Sequence, residues 1–360
     1  MTYERDRKGG IMWKEVGLVV AVLALIWITT GSSEGIAQSG GAEEFYKGAT
    51  IKFIVPYGAG GSYDLWARTL APLLEKHTGA KVNVENMPGG GGLKAIDYLY
   101  GTAKPDGLSL SISGMAALVL AKMLELPEAA KSDVEKLSFV GRILIDERAL
   151  FATRASGFRS IVDMQKTSVP IRFTSTGGAA DSSVDSALVS EGFGLNAKII
   201  PGSSGAAEDL ILLAEGKANA KCSPFSSADY RRAVEKGDLN LILFFGRKGN
   251  PDYPQVPLAL EAPGIKPGGQ KYIELISDLP EAGRMILTSP GVPGERVSFL
   301  ERALSASLKD PGLVNWSKKE GANISYLSGK DSRALVAKMM GLVPLAERAN
   351  LKRIVFEKYY

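Results

Sequence analysis

Cysteine and histidine are nearly missing from this chain of 360 residues, which holds one of each, Cys222 and His77. One cysteine cannot close an intrachain disulfide, and neither a cysteine cluster for zinc or iron–sulfur nor a two-histidine metal site can be assembled. The same shortage excludes a histidine-based catalytic triad. Excess charge of one sign is also absent. The 43 Lys and Arg against 39 Asp and Glu leave a formal charge of +4, and the basic residues are scattered rather than gathered into the stripe that binds nucleic acid. No G-x-x-x-x-G-K-[ST] phosphate loop and no G-x-S-x-G elbow occurs, and Gly58 to Gly61 lacks G-x-G-x-x-G spacing. Long apolar runs are few. Val16 to Ile28, VGLVVAVLALIWI, preceded by Arg5, Arg7, Lys8 and Lys14, is short for a membrane span and suits the core of a secretory signal. Met12 is an alternative start, and cleavage is expected near Ala37, with retention as an N-terminal anchor as the alternative. No cysteine follows the run, which removes a lipid-modified start.

What is present is ordinary for a globular protein: 45% apolar and 23% charged residues, in a chain long enough for two domains with real cores. It is organised around Ile51 to Leu74, IKFIVPYGAGGSYDLWARTLAPLL. Ile51, Phe53, Ile54 and Val55 read as a buried parallel strand. Pro56 closes it. Gly58, Gly60 and Gly61 permit backbone conformations that a Cβ forbids and let a ligand approach the amides. Ser62 is the expected N-cap of the following helix, with Asp64 in its first turn and Trp66, Leu70, Leu73 and Leu74 on one face. Free N–H groups are thus expected at the carboxyl end of a strand, where open α/β sheets bind ligands.

Strand, small-residue loop and helix then recur. Gly89 to Gly92 follow the strand Lys81–Glu85, and Ser113-Gly114 follow Leu108–Ile112. A second unit repeats the logic from about residue 150 to 246, with Thr176 to Ala179 after Pro170–Thr174, Gly202 to Gly205 after Ala197–Ile200, and Ser223 to Ser226 after Ala218–Cys222. Gly246 to Gly269 carries the chain back, and the tail has too few strands for a sheet of its own. The expected organisation is a signal or anchor at 1–40, one lobe of 50–149 plus 247–360, and a second lobe of 150–246. Asp64 and Asp181 are candidate acid–base carboxylates, but capping at a helix start explains each. Cys222 reads as a small buried hydrophobe. Without bases to activate a nucleophile, catalysis is not expected, and exposed amides and hydroxyls around a cleft suit a small carboxylate instead.

The motifs resemble a known family, the solute-binding proteins of tripartite tricarboxylate transporters, or Bug receptors. IKFIVPYGAGGSYDLWAR (51–68) follows the family's VP–x–x–x–GG–x–x–D–x–x–AR pattern, VNVENMPGGGGLKA (82–95) its second signature, and AKPDGLSLSIS (103–113) its PDG segment. The resemblance implies an α/β fold of two lobes, a periplasmic-binding-protein-like type II architecture with each lobe an α/β sandwich. It implies a receptor in the periplasm, acting as a monomer, that captures a small organic carboxylate and delivers it to membrane permease subunits, with no cofactor, metal or nucleic acid. A sensing or enzymatic domain on the same scaffold is the alternative. The ligand-binding positions it implies in the first lobe are Tyr57, Gly58, Ala59, Gly60, Gly61 and Asp64, then Gly90, Gly91 and Gly92, then Ser113 and Gly114. In the second lobe they are Thr176, Gly177, Gly178, Ala179, Ser182, Ser183 and Phe225. Departures cluster in that second lobe, where TGGAADSS puts Ser183 in place of a usual histidine and IPGSSG replaces a usual VPYKG segment.

Overall fold

The computed structural model describes residues 39–126, 129, 131–178 and 180–360. The N-terminal apolar run, the region around Ala37 and Ala179 lie outside the described residues. Contacts divide the chain into two units at Phe45. Of the first, Ser39–Phe45 is described, within a helix Ser39–Tyr46. The second, Tyr46–Tyr360, carries two mixed sheets. Among the described residues no helix is long and apolar enough to cross a membrane.

Strands β1 (Thr50–Val55), β2 (Lys81–Asn86), β3 (Ser109–Gly114) and β4 (Ser138–Leu144) join two later strands in the first sheet. Strands β5 (Arg148–Thr153), β6 (Ile171–Ser175), β7 (Ala197–Pro201), β8 (Ala220–Pro224) and β9 (Leu239–Phe245) form the second, in the order β7-β6-β8-β5-β9. The chain then returns with β10 (Arg284–Thr288) and β11 (Ile324–Ser328), completing a first sheet ordered β11-β4-β10-β3-β1-β2. It crosses between the sheets twice, through Ile145, Asp146 and Glu147, and again between Phe245 and Arg284. The apolar run of β1 is explained by its place. It pairs in parallel with β2 on one edge and β3 on the other, and Ile51, Phe53, Ile54 and Val55, which point to opposite faces, are all fully buried, as in a parallel sheet covered on both faces. β10 arrives from the opposite direction and inserts antiparallel between β3 and β4.

Residues 247–360, expected together in the first lobe, are divided between the two. β10, β11 and the helices Gly294–Ser307 and Gly329–Met339 pack with the first sheet, whereas the helix Gln270–Asp278 and the C-terminal π-turn Ile354–Lys358 lie against the helix Asp181–Phe193 of the second. The reason is that Asp181–Phe193 is buried along its whole length, so a sheet on one side is not enough and its outer face also needs cover. Ile273, Ile354, Val355 and Tyr359 provide it. The polar groups of this buried helix are satisfied locally, Ser186 and Ser190 donating to the carbonyls of Ser182 and Ser186. Its Glu191 accepts from Lys266, Lys358 and Tyr359.

Candidate functional site

The loop after β1 is held by Asp64. Its carboxylate accepts from the Gly60 amide at 2.9 Å, Arg68 Nε at 2.9 Å and Asn86 Nδ2 at 2.9 Å. Asn86 also donates to the Tyr57 carbonyl at 3.0 Å, so one side chain ties the end of β2 to both arms of the loop. Burial alone would raise the Asp64 carboxyl, but Arg68, the Gly60 amide and Asn86 together hold it below the usual carboxylate range. Ser62, expected to cap the helix, is instead its first residue. The helix Ser62–Thr78 starts from Gly61 with no side-chain cap, because the Ser62 hydroxyl is engaged by Ser226 Oγ at 3.1 Å and Arg284 Nη1 at 2.8 Å.

That uncapped start opens onto a cavity of about 90 Å³ between the lobes. Three helices of the second lobe begin there as well: Asp181–Phe193, Ala206–Ala214 and Ala228–Lys236, none with a side-chain cap bond. Their first-turn N–H groups carry the positive end of each helix dipole, so four helix starts from two lobes face one small space. Two buried cations line the same space. Arg148, at the start of β5, donates from Nε to Asp185 at 2.5 Å and pairs through Nη1 with Asp181 at 3.0 Å. Burial works against its charge, but Asp185 and Asp181 outweigh burial and the guanidinium stays protonated. Lys221, in β8, pairs with Asp209 at 2.7 Å. Asp209 also accepts from Thr174, Ser203 and Tyr230.

A second chamber of about 220 Å³ adjoins the first, and Tyr57 and Thr176 line both. The Tyr57 ring stands 4.7 Å from that of Tyr63. Gly91 and Gly92 border the outer chamber, with Ser203 and Ser204 opposite. The lobes touch closely here. A Cβ on Gly58 would lie 2.9 Å from the Ser204 carbonyl oxygen, and one on Gly177 would lie 3.2 Å from the Gly91 amide nitrogen.

Of the positions singled out in the sequence, Gly58, Gly61 and Ser182 line the inner cavity with Tyr57 and Thr176. Ala59 and Gly60 are exposed on the loop, and the Gly60 amide is taken by Asp64, which faces its own loop. Gly90 is exposed beside the outer chamber. Ser113 bonds to Ser111, and Gly114 is covered by Tyr63 and Asp181, so neither borders the cavity. Gly177 packs on Gly91, Gly178 accepts from the Tyr360 hydroxyl, and Ser183 donates to the Gly177 carbonyl. Phe225 turns into an aromatic cluster with Phe244 and Tyr253, at 5.0 and 5.1 Å, leaving Pro224 at the cavity. Asp181 does not cap its own helix. It accepts from the Ala117 amide of the other lobe at 2.7 Å and pairs with Arg148. Sequence reasoning missed Arg148, Lys221 and Asp209. Their signal was a lone charge in an apolar setting: Lys221 between Ala220 and Cys222, Arg148 ahead of ALFA, and Asp209 in AAEDLILLA.

No family model matches the chain. A UPF0065 protein of Bordetella bronchiseptica is 24% identical over 312 residues, 84% of this chain and 86% of that one. In fold, the periplasmic binding protein BugD is similar with a TM-score of 0.68 at 21% identity, covering 86% of this chain and 98% of its own. MatC from Rhodopseudomonas palustris, solved with bound malate, is similar with a TM-score of 0.67 at 20% identity, covering 85% and 99%. With the spaced VP–GG–D–AR, EN–P–GGGG and PDG segments in order and the two-sheet architecture in place, the chain is similar in sequence to UPF0065 proteins and shares the fold of Bug-type, or TctC-like, periplasmic solute-binding proteins.

Proposed function

We propose that the protein is an extracytoplasmic receptor that captures a small organic carboxylate between its lobes and delivers it to the membrane subunits of a tripartite tricarboxylate transporter. It does so by binding and closure, without a chemical step. The observation that carries this reading is the meeting of four uncapped helix starts from two lobes at one small cavity. A charge-assisted hydrogen bond contributes roughly 1.5–3 kcal/mol net. A few therefore suffice for micromolar affinity, about −8 kcal/mol. The malate bound to MatC is a ligand of this chemistry. Arg148 and Lys221 are each answered by carboxylates, so amide groups and oriented donors supply the anion's partners. The lobes close on a ligand that favours the closed state over the open one.

The test is a thermal-shift survey of the purified protein with mono-, di- and tricarboxylic acids, followed by calorimetric titration of those that act. Ligand at about a hundred times its Kd stabilises the folded state by about 2.7 kcal/mol, which moves a melt by several degrees. At least one acid is expected to do so. A flat response across the panel would contradict the reading.

A further inference from the structure

We infer that Arg148 and Ser227 form the distal subsite of the cavity, and that it takes an uncharged oxygen acceptor of the ligand, a carbonyl or hydroxyl, rather than a second carboxylate. The inference rests on the proposed carboxylate-binding role and adds which residues set specificity.

Among the described residues, six buried side-chain polar atoms have no hydrogen-bond partner, and two of them, Arg148 Nη2 and Ser227 Oγ, belong to residues that line this one cavity. Arg148 is 1% exposed and Ser227 4% exposed. A guanidinium N–H and a hydroxyl kept from water without partners are costly, and are expected where a ligand supplies the partner. The guanidinium is fixed in place, because Nε and Nη1 are held by Asp185 and Asp181 and only Nη2 is left. Ser227 stands at the N-cap position of the helix Ala228–Lys236, where a hydroxyl would ordinarily accept from the first turn, yet it makes no cap bond. Arg148 is the cross-strand partner of Pro224, three positions before Ser227. Both donors therefore sit on one rigid lobe.

Charge decides what they accept. Arg148 already serves two carboxylates, and Lys221 serves Asp209, so this end of the cavity holds no uncompensated cation. A second carboxylate would be stripped of water there without a counter-charge. A carbonyl or hydroxyl oxygen accepts the same two donors without that cost.

The probes are succinate and succinamate, which differ only in whether the far group is a carboxylate or an amide, titrated calorimetrically against the wild-type protein and Ser227→Ala. Succinamate is expected to bind at least about tenfold tighter than succinate. Ser227→Ala is expected to weaken succinamate about tenfold while the melting temperature of the ligand-free protein stays the same or rises, since an unpartnered buried hydroxyl is removed. Arg148→Lys should lose binding similarly, but Ser227→Ala is the variant whose folding is safe. Equal or tighter binding of succinate, or unchanged succinamate affinity in Ser227→Ala, overturns the inference. Binding of neither probe also overturns it, and the receptor reading survives that result if another acid in the thermal-shift survey stabilises the protein.

Discussion

Asp64 does its work at one remove from the cavity. With the carboxylate gone, the Gly60 amide, Asn86 Nδ2 and Arg68 lose their common acceptor, and the loop loses the group that holds its shape. Asp64→Ala is expected to loosen the Tyr57–Gly61 loop and lower acid affinity about tenfold while the rest of the fold persists. Calorimetric titration checks it, and unchanged affinity would contradict the account. At this scale the sequence was informative where a motif was local. The Asp64 position followed from its place in the first turn after a glycine loop. Of the two expected reasons for Gly60, backbone conformation is the one that applies, since a Cβ there meets nothing within 4 Å. Glycine is required because φ is +84°. Arg148, Lys221 and Asp209 were hidden because their partners come from distant segments. Arg148 needs Asp181 and Asp185, and Lys221 needs Asp209, pairings that no spacing reveals.

Secondary-structure elements were the most legible level. The helices Ile161–Lys166 and Ala206–Ala214 begin at local signals in the sequence: Ser160 caps the first and Gly205 opens the second. What periodicity could not give was strand direction and the destination of the tail. β10 reads as an apolar run whichever neighbour it joins, and its antiparallel insertion between β3 and β4 is set by the return crossing. The C-terminal turn docks on the second lobe through Glu191, which Lys358 and Tyr359 reach from the end of the chain. Burial would raise the Glu191 carboxyl, but Lys266, Lys358 and Tyr359 pull it from 4.5 to about 2. A depressed carboxyl contributes stability that is present above its unfolded value and lost as pH falls through its folded value. Glu191→Gln should therefore melt below wild type near neutral pH, with the gap closing between about pH 4.5 and 2. A gap that does not depend on pH in that window would show that the ion pairs do not hold the turn.

For the whole molecule, the central matter is how two sheets come to share one cavity. The crossings through Ile145–Glu147 and between Phe245 and Arg284 act as the joint. Polar bonds span the lobes beside it: Ser62 with Ser226, Arg284 with Ser226 at 2.7 Å, and Asp181 with the Ala117 amide. Backbone also meets backbone, and at Gly58 a side chain is forbidden by the opposite lobe, since a Cβ would lie 2.9 Å from the Ser204 carbonyl oxygen. Gly58→Ala should leave each lobe folded but hinder closure. Small-angle scattering with saturating ligand is expected to show a larger radius of gyration than wild type, together with about tenfold weaker acid binding; a variant that contracts like wild type would refute the role of that contact.

The account stands or falls on what occupies the cavity. Native mass spectrometry of the protein isolated from its own cells, with the released small molecule identified, tests this most directly. The account predicts a small organic acid bound one to one. An occupant without a carboxylate, or no occupant together with no thermal shift from any acid, would contradict it.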